Sequence, residues 1–126
     1  MTAGRIKMST TDSHLKVDQI NDITRIEFLD RNILDEANIQ QIGEQVTSII
    51  DSSDKVKMLI DFSNVDHLSS AALGALITIN NKVKEKEGQL RLSNIAGQIY
   101  EVFVITRLNK LFEIYPTEEE ALKSFD

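Results

Sequence analysis

The chain has 126 residues, 41% of them hydrophobic, which suffices for one compact domain with a single core and is too little for two. Twenty acidic against fourteen basic residues leave a net charge of -6, and no basic stripe interleaved with aromatics occurs, so direct nucleic-acid binding is not expected. The absence of cysteine excludes disulfides, thiol nucleophiles and thiolate metal sites, and the two histidines, His14 and His67, lack the spacing of a metal pair; no metal and no cofactor are expected.

Residues 1–13 are polar and small, contain Met8 as an alternative start, and read as a flexible tail preceding a domain over residues 14–126. They have no apolar core of the signal-peptide kind, and no later stretch approaches the roughly twenty apolar residues of a membrane span. The protein is therefore expected to be soluble and cytoplasmic, without membrane contact. "HLKVDQIND" followed by "ITRIEFLD" alternates, with Leu15 and Val17 on one face and Thr24, Ile26 and Phe28 opposed to outward Arg25 and Glu27. This predicts a β-hairpin with one wet face, turning at "IND". After the irregular "RNILDEAN", Ile39, Ile42, Val46, Ile49 and Ile50 form one helical stripe that ends near "DSSD".

"KVKMLIDF" places Val56, Met58, Ile60 and Phe62 on one side and Leu59 on the other, the pattern of the most buried, central strand. From Ser70 the period changes to helical, with Leu73, Leu76, Ile79 and Val83 inward, charged residues crowding the far end, and Gly88 placed as the stop. "QLRLSN" reads as a short strand with Leu90 and Leu92 inward, followed by a helix through Ile99, Val102 and Phe103, in which Tyr100, Val104 and Ile105 add a wider apolar surface. "LFEIY" makes a last strand, and Thr117 with Glu120 three residues on marks the cap of a terminal helix. The order β β α β α β α β α predicts an α/β domain: a mixed sheet of four to five strands, opening with a hairpin and covered by about four helices mainly on one face.

Catalytic sets are poorly represented. Neither Ser69 nor Ser70 has the flanking glycines of a nucleophile elbow, His67 has no evident orienting carboxylate, and neither phosphate-binding glycine motif is present. Asp61 and Asp66 flank one loop, where acidic residues ordinarily solvate the turn. The serines at the strand-to-helix threshold have two readings. One of them is the N-cap, its oxygen accepting from a free backbone N–H. Alternatively, the same helix end, with its orphan N–H groups and positive dipole, tolerates a phosphoryl group on a serine there. Small side chains at Ala71, Ala72 and Gly74 would then let a kinase or partner approach closely.

"LIDFSNVDHLSSAALGALI" resembles the signature of STAS domains, the anti-sigma factor antagonists of bacterial partner-switching systems, in which an apolar strand leads through a short loop to "D-S-[ST]-G-L-G". The likeness in element order covers about Leu15 to Phe125 and implies a STAS-like fold. Aligning Leu73 and Gly74 with the motif puts the family's phosphorylated serine at Ser70, with Ser69 as an alternative acceptor. Ser69 then stands where the family has aspartate, Ala71 where it has a second hydroxyl residue, and Ala72 where it has the first glycine.

The resemblance implies a switch with no catalysis of its own. The unphosphorylated form binds an anti-sigma factor that is also a serine kinase; phosphorylation releases it, and a serine phosphatase restores binding. The implied partner surface is Asp66, His67, Leu68, Ser69, Ala71, Ala72, Leu73 and Gly74, with Leu34 and Asp35 at the rim. On the bland reading, Leu34 covers the core and Asp35 or Asn38 caps the next helix. The alternative functions are a non-phosphorylated scaffold or regulatory module in a larger assembly, and a nucleotide or small-anion binding domain. The last is disfavoured because no lysine or arginine lies between Lys57 and Lys82. A monomer or weak homodimer is expected.

Overall fold

The alternating segments at the start do form a hairpin. In the computed structural model, which describes residues 15–125, Leu15–Ile20 (β1) pairs antiparallel with Ile23–Phe28 (β2). The expected tail over residues 1–13, the start at Met8 and His14 lie outside the described residues. Asn21 makes the turn with φ of 56°, a left-handed conformation that asparagine tolerates better than most side chains. Ile20, expected in the turn, is the last residue of β1.

Lys57–Asp61 (β4) lies third of five strands, as its two-sided burial requires. It pairs parallel with β2 and with Gln89–Ser93 (β6), which pairs parallel with Glu113–Tyr115 (β7). The sheet order is β1, β2, β4, β6, β7. Helices α1 (Glu36–Asp51), α2 (Ser70–Glu85) and α3 (Gly97–Ile105) cover one face, burying Ile39, Ile42, Val46, Leu76, Ile79, Ile99 and Phe103 against Ile26, Met58, Ile60 and Leu92. Edge-to-face contacts of Phe28 with Phe62 and of Phe103 with Phe112 fill the two ends of this core, the second against the turn after the short 3-10 helix Leu108–Lys110. Among the described residues the opposite face is covered by α4 (Glu118–Lys123) alone, where Ala121 packs on Leu59 and Ile23. The expected mixed sheet with helices mainly on one face is thus present.

Four details depart from the sequence pattern. Two additional strands, Asn32–Ile33 (β3) and His67–Leu68 (β5), pair parallel in a separate small sheet, so "RNILDEAN" is not wholly irregular. Two residues are too few to display a period. Val17 is half exposed, because β1 is an edge strand and only Leu15 reaches under the helices. Val102 is also partly exposed, at 40%, since α3 buries only the Ile99 and Phe103 side of its surface. Gly88 does not take the left-handed position that ends α2. Glu87 takes it, with φ of 56°, and Gly88 N–H donates back to the Val83 carbonyl at 2.9 Å.

Gly88 is required for space instead. A Cβ there would lie 2.6 Å from the Val56 carbonyl oxygen and 2.7 Å from its Cβ, whereas at Gly43, inside α1, it would meet nothing within 4 Å. Opposite signs are therefore expected for two alanine substitutions. Gly88→Ala loses about 1–3 kcal/mol to overpacking, while Gly43→Ala gains about 0.5–1 kcal/mol of helix propensity. Urea midpoints at unchanged slope measure both.

Candidate functional site: the start of α2

The β3–β5 ladder sets residues 31–35 alongside residues 66–70. Asn32 faces His67 and Ile33 faces Leu68. Asp66 and His67 donate to the Arg31 carbonyl at 2.7 and 3.2 Å, and Ser69 N–H donates to the Ile33 carbonyl at 3.1 Å. Both strands lead from this ladder almost directly into helices, so α1 and α2 begin side by side. Asp35 caps the first, its Oδ1 accepting from Ala37 N–H at 2.8 Å. Ser69 caps the second, its Oγ accepting from Ala72 N–H at 3.2 Å.

This assigns the two serines different positions. Ser69 is half-buried and committed to the cap. Ser70 is the first helical residue, exposed, and its hydroxyl has no hydrogen-bond partner among the described residues. Ala71 and Gly74 are exposed beside it, and a Cβ at Gly74 would meet nothing within 4 Å. Ala72 and Leu73 turn inward. Leu34, 54% exposed, does not cover the core, and with His67 it forms the rim beyond the ladder. The residues singled out from the sequence, Leu34, Asp35 and Asp66 to Gly74, thus belong to one contiguous stretch of the fold. Pairing also brings in a cation absent from the local sequence. Arg31 Nη1 lies 3.3 Å from Asp66 Oδ2, with both side chains well exposed, an arrangement that contributes at most about 1 kcal/mol.

Asp61 does not solvate the turn. It is 2% exposed at the end of β4 on the α4 side. Its Oδ2 accepts from Arg25 Nη2 at 3.1 Å and from Ser63 at 2.8 Å; its Oδ1 accepts from Asn94 Nδ2 at 2.7 Å and Ser93 at 3.4 Å. Arg25, expected to point into solvent, is largely enclosed and also donates to Glu118, to Glu27 at 3.0 Å and to Asp18 at 3.5 Å. Burial works against the charged guanidinium, but bonds from Glu118 and Glu27, with the Asp61 charge, outweigh it and raise its pKa. Asn64 donates to Glu27 and to the Phe28 carbonyl, tying the loop after β4 to β2. The loop that delivers Ser69 and Ser70 is therefore held at its base by buried charge. The sequence carried no signal for this, because the pairing of β2 with β4 that brings Arg25 to Asp61 is long-range.

Over residues 15–121 the chain matches the STAS domain family. It belongs to that family. The match spans the whole sheet and all four helices up to Ala121. Among individual relatives, BtrV of Bordetella bronchiseptica, named as an anti-sigma factor antagonist, is 22% identical over 95 residues, covering 75% of this chain and 81% of that one. A solved STAS domain protein from Planctomyces limnophilus superposes with a TM-score of 0.80 at 23% identity, covering 87% of this chain and 96% of its own. The anti-sigma factor antagonist SpoIIAA in its unphosphorylated form superposes with a TM-score of 0.64 at 17% identity, covering 86% and 94%. At such identities the structural likeness shows the fold, which is the STAS fold.

Stability measurements separate the two serines of this STAS domain. Ser69→Ala is expected to lose about 0.5–2 kcal/mol with the cap, and Ser70→Ala to stay within about 0.5 kcal/mol of the parent. Asp61→Ala, which strands several buried donors and Arg25, is expected to lose at least about 2 kcal/mol. Urea unfolding of the three variants reads all of these.

Proposed function

We propose that this protein is a cytoplasmic anti-sigma factor antagonist that acts by partner switching and has no catalysis of its own. Unphosphorylated, it binds an anti-sigma factor that is also a serine kinase. Phosphorylation of Ser70 releases that partner, and a serine phosphatase restores binding. The observation that carries this reading is the division of labour at the start of α2, where Ser69 supplies the cap and Ser70 presents an unbonded, exposed hydroxyl.

The departures from the family motif are compatible with the reading. Serine at position 69 replaces aspartate, and both residue types cap helices well. The extra methyl of Ala72 points into the core beside Phe28, Ile33 and Leu68, leaving the exposed surface at Ala71 and Gly74 small. A phosphoryl group at Ser70 adds about -1.5 to -2 charges. At a closely packed interface, a loss of about 3 kcal/mol already weakens binding more than a hundredfold. The names of BtrV and SpoIIAA as anti-sigma factor antagonists, and the designation of an unphosphorylated form for the latter, point the same way.

Intact-mass and fragment mass spectrometry on the protein recovered from its own cells, with and without phosphatase treatment, tests the proposal. One phosphate-sized increment on Ser70, removed by the phosphatase, is expected. A chain unmodified across growth and stress conditions, or modified at Ser69 instead, overturns the assignment of Ser70.

A further inference from the structure

A cleft of about 220 Å³ opens between the start of α2 and α3. Leu68 and Leu73 form one wall, Ile99 and Val102 the other, and Gln98 bridges the mouth by donating to the Asp66 carbonyl at 3.2 Å. Its volume accommodates one leucine- or phenylalanine-sized side chain. Val102 is 40% exposed at its edge, and Ile105, three residues on along the same helix side, is 80% exposed, so the apolar surface continues past the cleft along α3. Ser70 precedes Leu73 by three residues and stands one turn above the apolar wall.

Electrostatics narrow the occupant. The carboxylate at the rim, Asp66, is answered by Arg31, so the rim of the unmodified protein carries a compensated pair over apolar walls. A basic group on the partner would be drawn more strongly to a phosphorylated Ser70, which is the wrong sign for release. An apolar side chain in a surface without excess positive charge has the right sign, because the new charge must be desolvated against it.

We propose that the partner surface extends beyond the α2 loop to α3, and that the cleft between them receives an apolar side chain of the anti-sigma factor, with Val102 as its outer wall. This inference rests on the partner-switching reading above. It assigns α3 a contact role that the sequence motif does not reach, and it explains why an amphipathic helix leaves its Val102–Ile105 side uncovered.

The test places the photo-crosslinking residue p-benzoylphenylalanine at Val102 or, separately, at Ala71 in the full chain expressed in its own cells, each with Ser70 or Ser70→Asp. Expected are adducts from both positions with one and the same protein, identified from its peptides as an anti-sigma factor with a serine kinase fold, and a loss of at least tenfold in both with Ser70→Asp. An adduct from position 71 but not 102 overturns the α3 contact and leaves the switch standing. A position-102 adduct that survives Ser70→Asp, or that joins two copies of this chain, also overturns it. Absence of adducts from both positions removes the partner-switching reading and the cleft with it. Since Val102 is exposed, the substitution is expected to leave the unfolding midpoint unchanged.

Discussion

The carboxylate of Asp61 sits at the carboxyl end of the central strand, out of reach of solvent, and everything around it is arranged to answer its charge. A lone buried carboxylate costs several kcal/mol. Here Arg25, one strand away on β2, supplies the counter-charge, while Ser63, Ser93 and Asn94 fill the remaining acceptor positions. Each donor belongs to a different piece of chain: the second strand, the loop after β4, the end of β6, and the turn that leads to α3. Asn94 adopts φ of 58° to direct its amide there, a conformation asparagine accepts more readily than most side chains. One ionised group thus fixes where both loops at this end of the sheet depart.

The same charge recruits α4. Arg25, drawn to Asp61, has donors left over, and Glu118 in the first turn of α4 accepts one of them. That contact adds to the apolar packing of the six-residue helix, whose Ala121 and Leu122 lie in one cluster with Leu59 and Ile23. Arg91 adds a second tether, donating to Ser124 at 2.9 Å and lying over the Phe125 ring at 5.1 Å. The two faces of the sheet are therefore held by different physics. Three helices pack a continuous apolar core on one side, and on the other a short helix combines a small apolar cluster with contacts from two arginines.

Periodic features were legible in the sequence. The stripes Ile39–Ile50 and Leu73–Val83 gave α1 and α2, and the double-sided run from Val56 to Phe62 gave the central strand, because repeated burial leaves a repeated pattern. The β3–β5 ladder was not legible, since two-residue strands have no period and their pairing is long-range. Nor was the enclosure of Arg25 and Asp61, since charged residues look alike in sequence whether they solvate a turn or answer one another under a helix. At the site, the segment could be recognised, but the division between Ser69 and Ser70 depends on a one-residue offset in where α2 begins. Only the hydrogen bond from Ala72 N–H to Ser69 resolves it.

That offset separates folding from recognition. A charge placed on Ser69 would displace the cap and act on the stability of α2 itself. On Ser70, in the proposed switch, it would sit at the positive end of the helix dipole, beside N–H groups that have no intrahelical acceptor, where a negative charge is favourable by about 0.3–1 kcal/mol. The free protein would then tolerate phosphorylation or gain slightly from it, while the complex would lose whatever it costs to bury that charge against an apolar partner. The ladder beneath holds the loop in place in either case, with Ser69 N–H on the Ile33 carbonyl and Asp66 N–H on the Arg31 carbonyl. In the proposed switch the modification would therefore need no conformational change in this domain to be read, because it would alter the charge of a surface that the ladder holds in place.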